Sequence, residues 1–279
     1  MNSRASPSLL PDAARVKHPI GVFDSGVGGL SVLRALRAEL PHENFIYVAD
    51  SGFAPYGERD EGFVVDRSRV ITRHLLKQQQ LAIKALVIAC NTATAAAIHL
   101  LRQEHPDLPT IGVEPALKPA IALSHTRRIG VMATRGTLNS QKFKTLLAGL
   151  ADQAQFICQP CDGLADAIER HDVDKIIGLC RQYTRAMGQF GTKVGDIDTL
   201  VLGCTHYPFA SQYLQALVGP RVRLLDNGEP VARQTRRMLP SLSSHAAPGQ
   251  CQLLSTGDPA TLQTAARRWL GLDVPCRVL

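Results

Sequence analysis

No apolar run in this sequence approaches the roughly 20 residues that a membrane-spanning helix requires. The first 17 residues, MNSRASPSLLPDAARVK, also lack the compact apolar stretch of a secretory signal and read as a disordered leader on a cytoplasmic protein. There is no GKS or GKT phosphate loop, and the glycines do not follow the dinucleotide-binding spacing. No lysine sits in a pyridoxal-phosphate context, so no cofactor is expected. Aromatics make up only 5% of the chain, and although the formal net charge is +7, the arginines are spread out rather than interleaved with aromatic residues. Composition therefore gives nucleic-acid binding little support. Cysteine is present seven times, an odd number, and two of these cysteines close apolar runs instead of dotting a loop-rich scaffold. That pattern excludes a secreted disulfide framework and predicts reduced thiols.

What remains is a globular chain of 279 residues, 45% hydrophobic and 20% charged, long enough for one large core or two moderate ones. Apolar, β-rich runs near 19–23, 45–49, 85–89, 110–113, 128–133, 199–203 and 222–225 alternate with helix-period segments such as GLSVLRALRAEL and FVVDRSRVITRHLLKQQQ. This is an α/β alternation, which predicts parallel sheets covered on both faces. Two of the runs carry one phrase: ALVIACNTAT at 85–94 and TLVLGCTHYP at 199–208. The cysteines at 90 and 204 lie too far apart for one supersecondary repeat, so each is assigned to its own α/β half. The expected organisation is a leader over 1–17, a first domain over 18–113 plus 226–279, and a second, pseudo-symmetric domain over 114–225, with the site in the cleft between them.

Ligands of parallel α/β sheets bind beyond the carboxyl ends of the strands, where Cys90 and Cys204 both fall. A helix beginning just after each cysteine would aim N–H groups at the crevice and lower the thiol pKa from about 8.5 toward neutrality. The alternative is two small buried hydrophobes at strand ends; the matched phrases favour function. Asp24 and Ser25 follow another strand and precede Gly26, Gly28 and Gly29, which permit a tight turn and a close approach to a small polar ligand. Ser25 also reads as a helix N-cap. The loop holding Pro55, Tyr56 and Gly57 is either a wall over the site or a surface turn. Cys158-x-x-Cys161, with His171 and Cys180 behind it, has only half the spacing of a zinc site. A Cys204–His206 hydrolase pair would leave Cys90 without a role.

In order along nearly the whole chain, DSGVGGLSVL, ADSGFAPYG, VIACNTATA, GVEPALKPA, RIGVMAT and VLGCTHYP resemble the glutamate racemase branch of the aspartate/glutamate racemase family, whose D-glutamate serves peptidoglycan synthesis. The resemblance implies a cofactor-independent isomerase with Cys90 and Cys204 as opposed acid/base thiols and Asp24 and His206 assisting. It implies Asp24, Ser25, Tyr56, Gly57, Asn91, Thr92, Thr205 and His206 around a glutamate substrate, and a related racemase of aspartate stays open. PCDGLADAIE resembles a family segment that makes Glu169 an accessory. By the same resemblance Cys90 serves D-glutamate and Cys204 L-glutamate, and a homodimer is the assembly it leaves open. The chain departs from the family pattern in its leader and in reading GVEPA where many members read GVIEPA.

Two thiols suit such chemistry. Inverting a stereocentre requires removing a proton from one face and returning one to the other, so two opposed groups are needed, one as thiolate and one as thiol.

Overall fold

The computed structural model describes residues 18–77, 83–239, 241–243 and 247–279, so the leader over 1–17 lies outside the described residues. Among the described residues ten strands form two sheets, and every pairing within them is parallel. The first sheet holds β1 (Ile20–Asp24), β2 (Phe45–Ala49), β3 (Ala85–Ile88), β4 (Thr110–Gly112), β9 (Cys251–Ser255) and β10 (Cys276–Val278) in the order β10-β9-β2-β1-β3-β4. The second holds β5 (Arg128–Ala133), β6 (Gln155–Pro160), β7 (Thr199–Leu202) and β8 (Arg223–Leu225) in the order β6-β5-β7-β8. Four strands of the first sheet, β2-β1-β3-β4, thus follow the same permutation as the whole second sheet. The repeated phrase has its structural counterpart here: β3 and β7 are each the third strand of such a unit.

Parallel strands need long crossovers, and helices supply them. The first sheet carries α1 (Leu30–Glu39), α2 (Glu61–Lys77), α3 (Asn91–Glu104), α10 (Gly228–Met238) and α11 (Pro259–Leu270). The second carries α4 (Leu117–Leu123), α5 (Arg135–Asn139), α6 (Gln141–Ala148), α7 (Leu164–Glu169), α8 (Val173–Met187) and α9 (Ser211–Val218). The strand side chains alternate between two cores on either face of each sheet. Val22, Tyr47 and Val87 pack with Leu33 and Leu36 of α1, whereas Phe23, Val48 and Ile88 pack with Ile71 of α2 and Ile98 of α3. In the second sheet Met132, Leu200 and Leu202 face α7 to α9, and Ile129, Val131 and Val201 face α4 and α6. Burial on both faces explains why the central strands read as continuous apolar runs.

The chain crosses from the first sheet to the second between β4 and β5 and returns after β8, where α10 packs against α1. β6, β9 and β10 have no counterpart among the seven runs read from the sequence. β6 and β10 are edge strands, and QFICQP and CRV are only partly buried, so neither is written as a continuous apolar run. Among the described residues no helix is long and apolar enough to cross a membrane.

Candidate active site

A cavity of about 510 Å³ opens between the carboxyl ends of the two sheets. Its walls include Ser25, Tyr56, Gly57, Cys90, Asn91 and Thr92 from the first sheet's loops, and Glu169, Cys204, Thr205 and His206 from the second's. Of the catalytic and substrate-binding residues expected from the sequence, Asp24 is the one not part of the wall: it ends β1, fully buried behind it. There its carboxylate accepts hydrogen bonds from Ser25 Oγ (3.0 Å), the Gly26 N–H (2.8 Å) and, across the two units, Thr205 Oγ1 (2.7 Å). Asp24 thus holds neighbours in place.

Cys90 ends the link from β3 and caps α3, accepting the Ala93 N–H at its Sγ (3.4 Å), with Ser25 Oγ 4.0 Å away. The expected depression of its pKa is not found. Burial pushes the thiol up, the Asp24 carboxylate adds to that, and the Ala93 N–H offsets it only in part. Cys90 is therefore a protonated thiol at neutral pH.

Cys204 stands differently. No α-helix begins directly after it; a short 3₁₀ turn over Tyr207–Ala210, with Pro208 in it, comes first, and α9 starts only at Ser211. What it has instead is His206, whose Nδ1 lies 3.7 Å from Cys204 Sγ and whose Nε2 lies 2.8 Å from Glu169 Oε2. Burial alone would lower the imidazole's pKa, but its bonds to Cys204 and Glu169 outweigh it and hold His206 well above the ordinary histidine range. The His206 imidazolium thus stands between the Glu169 carboxyl group and the Cys204 sulfur. The cavity sets one sulfur beside Ser25 and Asp24 and the other beside the His206 imidazolium.

Glu169, the last residue of α7, also ties the units together: the Val27 N–H donates to its two oxygens (3.2 and 2.9 Å) and Ser51 Oγ to Oε1 (3.2 Å). The glycines of DSGVGG make room for this contact. A Cβ on Gly26 would lie 2.4 Å from Glu169 Oε2, and one on Gly28 would lie 2.3 Å from His206 Nδ1. Ser25, by contrast, is not a helix cap: Gly29 occupies that position before α1 and Ser25 donates to Asp24. Thr92 Oγ1 reaches the opposite unit at Thr134 Oγ1 (3.2 Å). Gly57 also meets Thr134, whose Cβ would be 2.9 Å from an added methyl.

Tyr56 lines the cavity, yet its hydroxyl is committed to Asp50, a residue the sequence reading passed over. Asp50 is fully buried just beyond β2 and also accepts Arg67 Nε (2.9 Å), Arg67 Nη2 (2.8 Å) and Thr256 Oγ1 (2.8 Å). Arg67 in turn lies 3.6 Å over the ring of Phe53. This cluster fixes the 51–58 loop as a wall. Its signal was present, since Asp50 follows a strand as Asp24 ends one. Cys158 and Cys161 do not converge: Cys158 packs on the α4/α6 face of the second sheet and Cys161 on the α7/α8 face. Among the described residues no group of three or more His, Cys, Asp or Glu side chains is arranged to hold a metal ion.

Known proteins resemble this chain over nearly its whole length. The Asp/Glu/Hydantoin racemase family model matches residues 25–235. A glutamate racemase from Cupriavidus pinatubonensis is 49% identical over 260 residues, 91% of this chain and 92% of its own length. One from Ralstonia nicotianae is 47% identical over 261 residues, 92% of this chain and 91% of its own. The crystal structure of a glutamate racemase isoform from Bacillus anthracis superposes with a TM-score of 0.83 at 31% identity, covering 95% of this chain and 98% of that one. Two thiols at equivalent strand ends and relatives matched over nearly their whole length lead to one conclusion: the chain belongs to the Asp/Glu/Hydantoin racemase family.

Proposed function

We propose that the protein interconverts L- and D-glutamate without a cofactor, using Cys204 and Cys90 as the two acid/base groups, and that it supplies D-glutamate for peptidoglycan in the cytoplasm. The observation that carries this reading is the placement of the two cysteines: each follows the third strand of a matching sheet unit and both line one cavity. The unlike surroundings of the two thiols support a division of labour. Cys204, as thiolate beside His206, takes the α-proton of L-glutamate, and Cys90, as thiol, returns a proton from the opposite face. In the reverse direction the protonation states exchange.

Thr92 and the Asn91 amide supply donors for the substrate carboxylates and for the charge that develops as the α-proton leaves, and Thr205, whose hydroxyl donates to Asp24, completes the wall beside them. Glu169 acts through His206, holding the imidazolium that stabilises the thiolate. The domain limits follow the sheets, with 18–113 plus 226–279 forming one wall of the cavity and 114–225 the other. Racemisation measured by circular dichroism over a panel of amino acids, after dialysis against a chelator, tests the whole reading. Glutamate turnover with no pyridoxal absorbance is expected. Turnover confined to aspartate, or activity restored only by added metal, refutes it.

A further inference from the structure

Asn91 is the first residue of α3, next to Cys90, and it is buried in the cavity wall. Its Oδ1 accepts a hydrogen bond from Asn227 Nδ2 at 3.4 Å. Its own Nδ2 has no hydrogen-bond partner, and neither has Asn227 Oδ1, although both atoms are buried. A buried amide N–H₂ left unpaired costs about 1–3 kcal/mol, so its persistence beside a catalytic thiol calls for a reason.

Asn227 has no local job that would account for it. It stands immediately before α10, where the chain returns from the second sheet to the first, yet its side chain caps nothing. The Gly228 N–H is taken by Asp226 Oδ1 (2.9 Å). Asn227 is nevertheless 3% exposed, with its amide directed across the molecule at Asn91.

An asparagine amide has one accepting end and one donating end. When Asn227 donates to Asn91 Oδ1, the end of Asn91 left over is the donor, the end a carboxylate ligand requires. We infer that Asn227 is a positioning residue for substrate binding: it orients the Asn91 amide so that Nδ2 is free for a carboxylate of the substrate. This rests on the glutamate reading above and adds to it a residue from the return crossover.

In Asn227→Asp the new carboxylate can only accept, so Asn91 must turn Nδ2 toward it and present Oδ1 to the substrate carboxylate. KM for glutamate then rises about tenfold or more, the worth of one hydrogen bond to a charged group, while kcat stays within about threefold. A charge effect of the new aspartate is separated by a double-mutant cycle. In an Asn91→Ala background the same Asn227→Asp change should alter KM by less than about twofold if it acts through Asn91. Asn227→Ala, which introduces no charge, gives a second reading through the same cycle: KM rises about threefold with Asn91 present and not at all without it. An unchanged KM in folded Asn227→Asp overturns the inference, and so does an equal rise with and without Asn91. Wild-type turnover of glutamate is measured in the same series, so failure of the glutamate reading shows in the wild type and failure of the orienting role only in the variants.

Discussion

Replacing Gly28 by alanine tests the contact between the two units at a single methyl group. The new Cβ would stand 2.3 Å from His206 Nδ1, 2.5 Å from Cε1 and 2.7 Å from Cγ, where ordinary contact begins at 3.4 Å. The imidazole must therefore retreat by about 1 Å, a misplacement that costs on the order of 100-fold when it falls on a catalytic group. It has no slack, since it is buried and held by Glu169 at 2.8 Å on one nitrogen and Cys204 at 3.7 Å on the other. Breaking the Glu169 contact alone forfeits about 1.5–3 kcal/mol of charge-assisted hydrogen bonding. Gly28 does not have a left-handed backbone, so alanine adds no backbone strain and the fold should persist. The expected result is a folded Gly28→Ala protein whose kcat/KM, followed by circular dichroism from pure L- and pure D-glutamate, falls about 100-fold. Because the enantiomers have equal free energy, the fall must be the same in both directions. A folded variant within about threefold of wild type would refute the claim that His206 works in this fixed position.

Other perturbations act on other parts of the account. Cys90→Ala and Cys204→Ala should each reduce racemisation by at least about 10²–10⁴-fold, the range for a lost acid/base group, with the fold intact by far-UV circular dichroism. Arg67→Ala leaves the buried Asp50 carboxylate without its counter-charge, a loss of about 3–5 kcal/mol of stability read in urea titrations, with KM raised as the Tyr56 wall loosens. Asp198 tests the far end of the second sheet. Burial alone would raise its pKa, but hydrogen bonds from Ser124 Oγ and the Thr126 and His125 N–H groups outweigh burial and hold it below the ordinary value of 3.8. A carboxyl lowered in the folded state contributes stability above its unfolded pKa and loses it as pH falls through the folded value. Asp198→Asn should therefore cost about 2 kcal/mol at pH 7, and the gap to wild type should narrow on acidification below about pH 4. A gap independent of pH would refute the assignment.

The parts legible in the sequence are those written as apolar runs ending in polar residues. β1 to β5 and β7 are largely buried strands and read as such, β8 is a half-covered edge that reads as a strand through its apolar residues, and Cys90 and Cys204 stand out because their phrases match. β6, β9 and β10 were missed because two of them are half-covered edges and CQLLS, between β2 and β10, begins with polar and exposed positions. The helix expected directly after Cys204 is replaced by a turn containing Pro208, and the lowered Cys90 pKa by a raised one, because position at a strand end says nothing about how deeply the sulfur is buried or which carboxylate faces it. Cys204 and His206 are neighbours in one phrase, but Glu169 is 37 residues from His206 and the Asn227 contact spans 136 residues. No local pattern encodes such pairings.

The central claim, two monoprotic thiols on opposite faces of the substrate, is tested most directly with solvent deuterium. Protiated L-glutamate, and separately D-glutamate, is turned over in D₂O, and each enantiomer is analysed by mass spectrometry at low conversion. A thiol that has exchanged with solvent delivers the proton on one face, while the other thiol retains the hydrogen it removed until product leaves. Early product should therefore carry deuterium and recovered substrate very little. Substantial protium in early product would mean that one group carries the hydrogen between faces, and the opposed roles of Cys90 and Cys204 would be wrong.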